Sequence, residues 1–303
     1  MDALVFASFF PTSQSIDVGR YYLNIFRQNY SDCDIYIGIK PSPVITEWIA
    51  VLESRHDLRI SYSVADESLV IDSDASAFQA ALRVMAHSGK EYETVFFGHS
   101  KGSTNQRDRI LKMLERDYWR KRGVISSLFQ AYPQHGIYSA AATIACPPVY
   151  SNRAIIHNYC NFRYKNLHNV APLFTFYAIR GELVAGFLAE CDLSFFDEKL
   201  YNRYFFEDIF PHIVSANGYL PMFRHLETIY IRNKVNYRIL ENDLRAYLAA
   251  NSIQMDGGIV GYRESEGAIF KDYLINCMKL LGMAKLIAPL SALKSCLNRI
   301  VPK

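Results

Sequence analysis

Apolar and polar positions in the first hundred residues fall into alternating blocks of strand length and helix length. ALVFASFF, residues 3 to 10, is a continuous apolar run, followed by turn residues Pro11 to Ser15 and a helical pattern from Val18 to Phe26. CDIYIGI, Cys33 to Ile39, is a second run closed by Pro41 and Pro43, with a helix expected over Val44 to Leu52. LRISYSV, Leu58 to Val64, reads as a third strand. SDASAFQAALRVMA, Ser73 to Ala86, reads as a helix with Ser73 or Asp74 as its N-cap and Gly89 as its stop. TVFFGHS, Thr94 to Ser100, is a fourth short apolar run, and a polar helical segment is expected over Gln106 to Lys121. Four strands alternating with helices predict an α/β fold with a mostly parallel, doubly wound sheet flanked by helices.

Beyond Gly123 the pattern is less regular. IYSAAATIACPP (Ile137 to Pro148) and LFTFYAI (Leu173 to Ile179) are strand-like, and a helix is expected near Glu182 to Glu190. No repeat or low-complexity linker separates the halves, so residues 1–150 and 151–265 are expected to be two halves of one domain. Residues 266–303 read as a basic amphipathic helical extension. From Lys271 to Lys303, six basic residues oppose one acid, Asp272. Such a face is either solvated or a contact for an anionic membrane surface or a partner.

Composition narrows the function classes. Of 303 residues, 50% are apolar and 21% charged, as in ordinary globular proteins. The net charge of +3 is too small, and the basic residues too scattered, to predict nucleic-acid binding. Six cysteines without a C-x-x-C pair read as reduced thiols of a cytosolic protein. MDALVFASFF lacks the basic start of a secretory signal and reads as a buried strand, and no run reaches the length of a membrane-spanning helix. Neither a Walker A sequence nor G-x-G-x-x-G occurs.

GHSKG, Gly98 to Gly102, fits the G-x-S-x-G nucleophile elbow and follows a strand. On that reading Ser100 attacks an acyl carbonyl, His212 or His225 serves as its base, and Asp192 orients the base. The sequel STNQRDRILKML places long polar side chains where an elbow helix packs small ones, and no HGGG-type oxyanion loop precedes it. An α/β serine hydrolase is therefore the second reading. A non-catalytic sugar- or nucleotide-binding protein is the third.

DSDASAFQAAL, KEYETVFFGHSKGS and NRYFFEDIFPHIVSANGY together resemble glycosyltransferases of bacterial surface-polysaccharide synthesis, in particular the rhamnan-synthesis type. The matching residues are Asp74, Tyr92, His99, Ser100, Lys101, Gly102 and Ser103. ALVFASFF and CDIYIGI also resemble the first two strands of the family's nucleotide-sugar-binding half. The resemblance implies a GT-A-like fold and a hexosyl or deoxyhexosyl transfer from a nucleotide-sugar donor to a polysaccharide or lipid-linked glycan acceptor, in the cytoplasm and peripheral to the inner membrane.

On that resemblance Ser8, His99, Ser100, Lys101, Ser103 and Arg203 contact the donor, with His99 and Lys101 stabilising the diphosphate that leaves. Asp72 and Asp74 form D-x-D, a spacing suited to Mg²⁺ or Mn²⁺ bridging the diphosphate, although Asp74 reads more simply as a helix cap. In FFEDIFP, Asp208 and then Glu207 are the candidate bases that take the acceptor's hydroxyl proton. Pairing of either acid with Arg203 on a helix face is the plain alternative. YWRKR, Tyr118 to Arg122, reads as a solvated helix end or a contact for phosphate or an anionic lipid carrier.

Overall fold

A computed structural model describes residues 1–66, 74–100, 111–112, 114–116, 118–139, 143–145, 170–172, 175–190, 205–224, 237–239, 255–256 and 261–264. Its first part alternates β1 (Ala3–Ser8), α1 (Ser13–Asn29), β2 (Asp34–Ile39), α2 (Ile45–Glu53), β3 (Arg59–Val64), α3 (Ala75–Ser88) and β4 (Thr94–His99). After a 3₁₀ turn at Trp119–Lys121 come α4 (Arg122–Ala131), β5 (His135–Ser139), β6 (Thr143–Ala145), β7 (Val170–Pro172) and β8 (Tyr177–Arg180). The remaining elements are α5 (Gly181–Glu190), α6 (Phe205–Ala216), β9 (Leu220–Arg224), β10 (Tyr237–Ile239), β11 (Met255–Asp256) and β12 (Gly261–Glu264).

These strands build an eight-stranded sheet of order β11-β9-β5-β8-β4-β1-β2-β3 and a four-stranded sheet of order β10-β12-β6-β7. In the larger sheet β1, β2, β3 and β4 are mutually parallel, while β8 runs antiparallel to both of its neighbours, β4 and β5. The sheet is thus mixed, but β5, β9 and β11 run in the same direction as β4, so it is mostly parallel as expected, with β8 as its reversed strand. Only residues 173–176 separate β7 from β8. β7 belongs to the four-stranded sheet, so this short link carries the chain from one sheet into the other. The helical extension expected over 266–303 lies outside the described residues. Among the described helices, none is long and apolar enough to cross a membrane.

β1, β2 and β4 are buried along their whole length because helices cover both faces of the sheet. Leu4, Phe6, Ile35, Ile37 and Phe96 face α1, α2, α4 and Trp119, whereas Val5, Ala7, Tyr36, Val95 and Phe97 face α3, α5 and α6. Edge strand β3 is only partly buried. Two glycines set how closely the layers approach. A Cβ on Gly38 would lie 1.6 Å from the Ala77 carbonyl oxygen of α3, and one on Gly98 would lie 2.3 Å from the Trp119 ring. Gly123 sits in the first turn of α4, where burial of Ile125 and Phe129 outweighs the ~1 kcal/mol glycine penalty. α1 begins earlier than the apolar pattern indicates because Thr12 and Ser15 form a reciprocal capping box.

At the amino-terminal edge of the sheet, Asp34 accepts hydrogen bonds from Lys90 Nζ (2.8 Å) and Tyr92 OH (2.9 Å), and Arg59 Nε lies 3.2 Å away. Burial alone would raise its pKa, but these bonds and the Lys90 and Arg59 charges prevail and hold the carboxyl below its ordinary value. Arg122 likewise joins Asp2 (2.8 Å) to Asp32 (3.0 Å) beneath Tyr30. Burial pushes the nearby Cys33 thiol up to about 12, so this cysteine is an inert core residue.

Gly38→Ala is expected to destabilise by about 3 kcal/mol or more, and Gly98→Ala by less, because the obstacle at Gly38 is backbone and that at Gly98 a side chain. Urea titration of both variants tests this order. Because the folded-state pKa of Asp34 is depressed, its stabilising contribution is complete above its unfolded pKa of about 4 and fades as pH falls through the lower folded value. Asp34→Asn should cost about 1–3 kcal/mol at pH 7 and progressively less towards pH 3, which a melting series against pH would reveal.

Candidate functional site

β1 connects to β2 and then β3 on one side, whereas β4 joins on its other side. The direction of winding therefore reverses between β1 and β4, and in open α/β sheets that reversal leaves a crevice at the carboxyl ends of the strands. The crevice rim carries Phe9 after β1, Lys40 after β2, and His99 and Ser100 at the end of β4. Lys40 N–H donates to Ser8 O (2.9 Å) and Ser100 N–H to Ala7 O (2.9 Å), so the three strand ends are tied together.

Ser100 continues the β1–β4 pairing with its side chain. Its hydroxyl accepts from Phe9 N–H at 2.7 Å and donates to Phe9 O at 3.2 Å. Both functions of the hydroxyl are thereby taken up by one backbone residue, which is unlike an activated nucleophile with a base at its proton. Gly98 lies within β4 and makes room for Trp119, so it does not form an elbow turn. Gly102, Asp192 and His225 lie outside the described residues, and His212 falls on α6 without a described side chain.

His99 is 8% exposed, and its ring lies 4.9 Å from that of Phe176 and 6.5 Å from that of Phe78. Its Nδ1 approaches Asp74 Oδ2 to 2.7 Å. The N–H vector is angled off that oxygen, so the contact is a close polar pair rather than an aligned hydrogen bond. Asp74 occupies the N-cap position of α3, as expected, yet its side chain makes no capping hydrogen bond and turns to His99 instead. The carboxylate orients the imidazole and favours a proton on Nδ1, leaving Nε2 to meet a ligand.

Helix α6 lies alongside. Tyr177 OH donates to Phe206 O at 2.7 Å, Phe206 packs on Phe78 at 5.3 Å, and Phe210 packs on Phe97 at 4.9 Å. The buried stripe of α6 comprises Phe205, Phe206, Ile209, Phe210, Ile213 and Val214. Glu207 and Asp208 are helical positions between its members; their side chains are not among those described. Pro211 has no N–H, so the Glu207 carbonyl lacks its usual helical donor.

The other expected site residues divide sharply. Ser8 is fully buried, donates to Gly38 O at 3.1 Å and accepts from Trp48 Nε1 at 3.1 Å, so it fastens β1 to α2 and does not face the crevice. Tyr92 lies at the opposite edge of the sheet, on Asp34. Asp72, Lys101, Ser103 and Arg203 fall outside the described residues. Of the two acids named for Mg²⁺ or Mn²⁺, only Asp74 is described and its Oδ2 meets His99. Among the described residues no group of three or more His, Cys, Asp or Glu is arranged to hold a metal ion. The described side chains thus do not assemble an oxygen-ligand site.

YWRKR also differs from its reading as a surface cluster. Tyr118 and Trp119 are fully buried, Arg120 Nε pairs with Glu115 (2.8 Å), and Arg122 is committed to Asp2 and Asp32. The Tyr118 hydroxyl lies 2.9 Å from Phe97 O and 2.6 Å from Tyr177 O, where the pairing of β4 with β8 ends. Sequence reading overlooked Phe9, Lys40 and Phe176. The available signal for Lys40 was a lone lysine at the end of the second apolar run, immediately before Pro41.

No family model matches the chain, and no curated protein matches it.

Ser100→Ala should cost about 1–3 kcal/mol, because it leaves the Phe9 N–H and carbonyl without their shared partner. A double-mutant cycle of His99→Ala with Asp74→Ala should return a coupling of about 1 kcal/mol, and additive losses would contradict the pairing.

Proposed function

We propose that the chain is a glycosyltransferase that moves a sugar from a nucleotide-sugar donor to a polysaccharide or lipid-linked glycan acceptor. The observation that carries this reading is the His99–Asp74 pair at the carboxyl ends of β1 and β4, at the reversal of winding where α/β sheets bind nucleotides. The parallel β3-β2-β1-β4 half, with helices on both faces, is compatible with a GT-A-like nucleotide-binding half. The resemblance of the GHSKGS and FFED segments to surface-polysaccharide glycosyltransferases supplies the reaction class.

On this reading the donor diphosphate lies against His99. As the glycosidic bond lengthens, negative charge grows on the leaving phosphate oxygen, and His99 in its imidazolium form, with Nδ1–H towards Asp74, donates from Nε2–H to that charge. Lys101, two residues further along the sequence, adds a positive charge. The acceptor hydroxyl oxygen attacks the anomeric carbon, the bond to the diphosphate oxygen breaks, and the hydroxyl proton passes to Asp208 or Glu207. Packing of Phe206 and Phe210 fixes the backbone from which those acids extend. A divalent ion would supply further diphosphate charge compensation; the described residues assemble no site for one, and no step above passes through it. Contact of the basic 266–303 segment with a membrane surface would place the enzyme beside a lipid-linked acceptor.

The hydrolase reading is disfavoured by the engagement of the Ser100 hydroxyl with Phe9. A screen of nucleotide sugars for hydrolysis and for thermal stabilisation tests the transferase directly. At least one donor should raise the melting temperature and release its nucleoside diphosphate. His99→Ala should lower kcat by about 10²–10³-fold. A fluorophosphonate should leave Ser100 unlabelled. Failure of every nucleotide and nucleotide sugar to shift the melting temperature would sink the proposal, and binding without any turnover would favour a non-catalytic binding protein.

A further inference from the structure

We infer that Lys40, seated over the Phe9 ring, is an anion anchor of the crevice rim and engages a phosphate oxygen of a nucleoside diphosphate. The choice of a nucleoside diphosphate rests on the transferase reading, whereas the anion site itself rests on geometry. Lys40 follows β2, and its backbone N–H is held by Ser8 O at 2.9 Å. The residue is only 9% exposed, and its Nζ lies 4.7 Å from the centre of the Phe9 ring. Phe9 in turn is pinned through both backbone groups by Ser100.

Other buried charges of the fold have countercharges: Asp2 meets Arg122, and Asp34 meets Lys90 and Arg59. Lys40 is different. Among the described residues no carboxylate pairs with it, and its ammonium is not sealed from the outside. Most of the side chain is packed while its tip is open, and the one aromatic face beside the ammonium is a weaker partner than an anion. The missing countercharge is therefore expected from a ligand. Lysine offers three donors and no acceptor on a compact point charge, which suits phosphate oxygens. Lys40 and His99 flank Phe9 and Ser100 along the rim, an arrangement that can divide the charge of a diphosphate between two donors.

The test uses the full chain with Lys40→Met and Lys40→Arg, titrated calorimetrically with inorganic pyrophosphate and with UDP, GDP, CDP and dTDP. Lys40→Met should weaken pyrophosphate and the preferred nucleoside diphosphate by about tenfold or more, and Lys40→Arg should recover most of the loss. Without ligand, Lys40→Met should melt no lower than the parent protein, since it removes a charge that lacks a partner. The inference is overturned if the parent binds none of these anions, if Lys40→Met binds them as tightly as the parent, or if Lys40→Met melts lower without ligand. Lys40-dependent binding of pyrophosphate with no preference for any nucleoside diphosphate, and no nucleotide-sugar turnover, would leave the anion site standing and remove the transferase. Turnover unaffected by Lys40→Met would do the reverse.

Discussion

The carboxyl end of β1 is clamped from both sides, and the candidate site depends on that clamp. β2 holds it through the Lys40 amide on Ser8 O, and β4 holds it through the Ser100 amide on Ala7 O. Past the last paired residue of β4, the Ser100 hydroxyl takes over the donor and acceptor work of a further strand residue for Phe9. Polar groups at a strand end ordinarily turn to water or to a loop. Here they are satisfied internally, so the rim is fixed before any ligand arrives. Preorganisation of this kind lowers the ordering cost of binding.

Packing reaches the same rim from two directions. On one face Trp119 rests against Phe6, Phe26 and Tyr118 and fills the space left by Gly98. On the other, Phe78 of α3 touches His99, Phe97 and Phe206. Phe78 thus links the polar pair at the end of β4 with the first turn of α6, where Glu207 and Asp208 stand. Charge and core packing meet in this side chain, so a substitution there would disturb both.

The first half of the fold was legible because strands buried on both faces must be continuously apolar, as ALVFAS, DIYIGI and TVFFGH are. Direction was not legible. An apolar run such as that of β8 carries no mark of which way it enters a sheet. The helix start at Ser13 was hidden because serine stands at the capping-box position where glutamate is the usual signal. Asp74 was visible as a cap candidate, but its partner His99 comes from a different element and only the fold makes the pair. The basic letters of YWRKR concealed two aromatic rings that the core absorbs, since a charge nearby in sequence says little about which face of a helix its neighbours occupy. Ser8 illustrates the converse: a serine at a strand end suggests ligand contact, and here it closes a seam between β1 and α2.

Tyr118 has one hydroxyl proton and two carbonyl oxygens within reach, those of Phe97 and Tyr177, and its oxygen also accepts from Phe97 N–H at 3.1 Å. Only one carbonyl can receive the proton fully at any moment. The join between β4 and β8 is therefore fastened by one hydroxyl shared between a carbonyl of each strand. Phe176, the residue before that join, lies with its ring 4.9 Å from the imidazole of His99, so the same hydroxyl stands behind one wall of the candidate site.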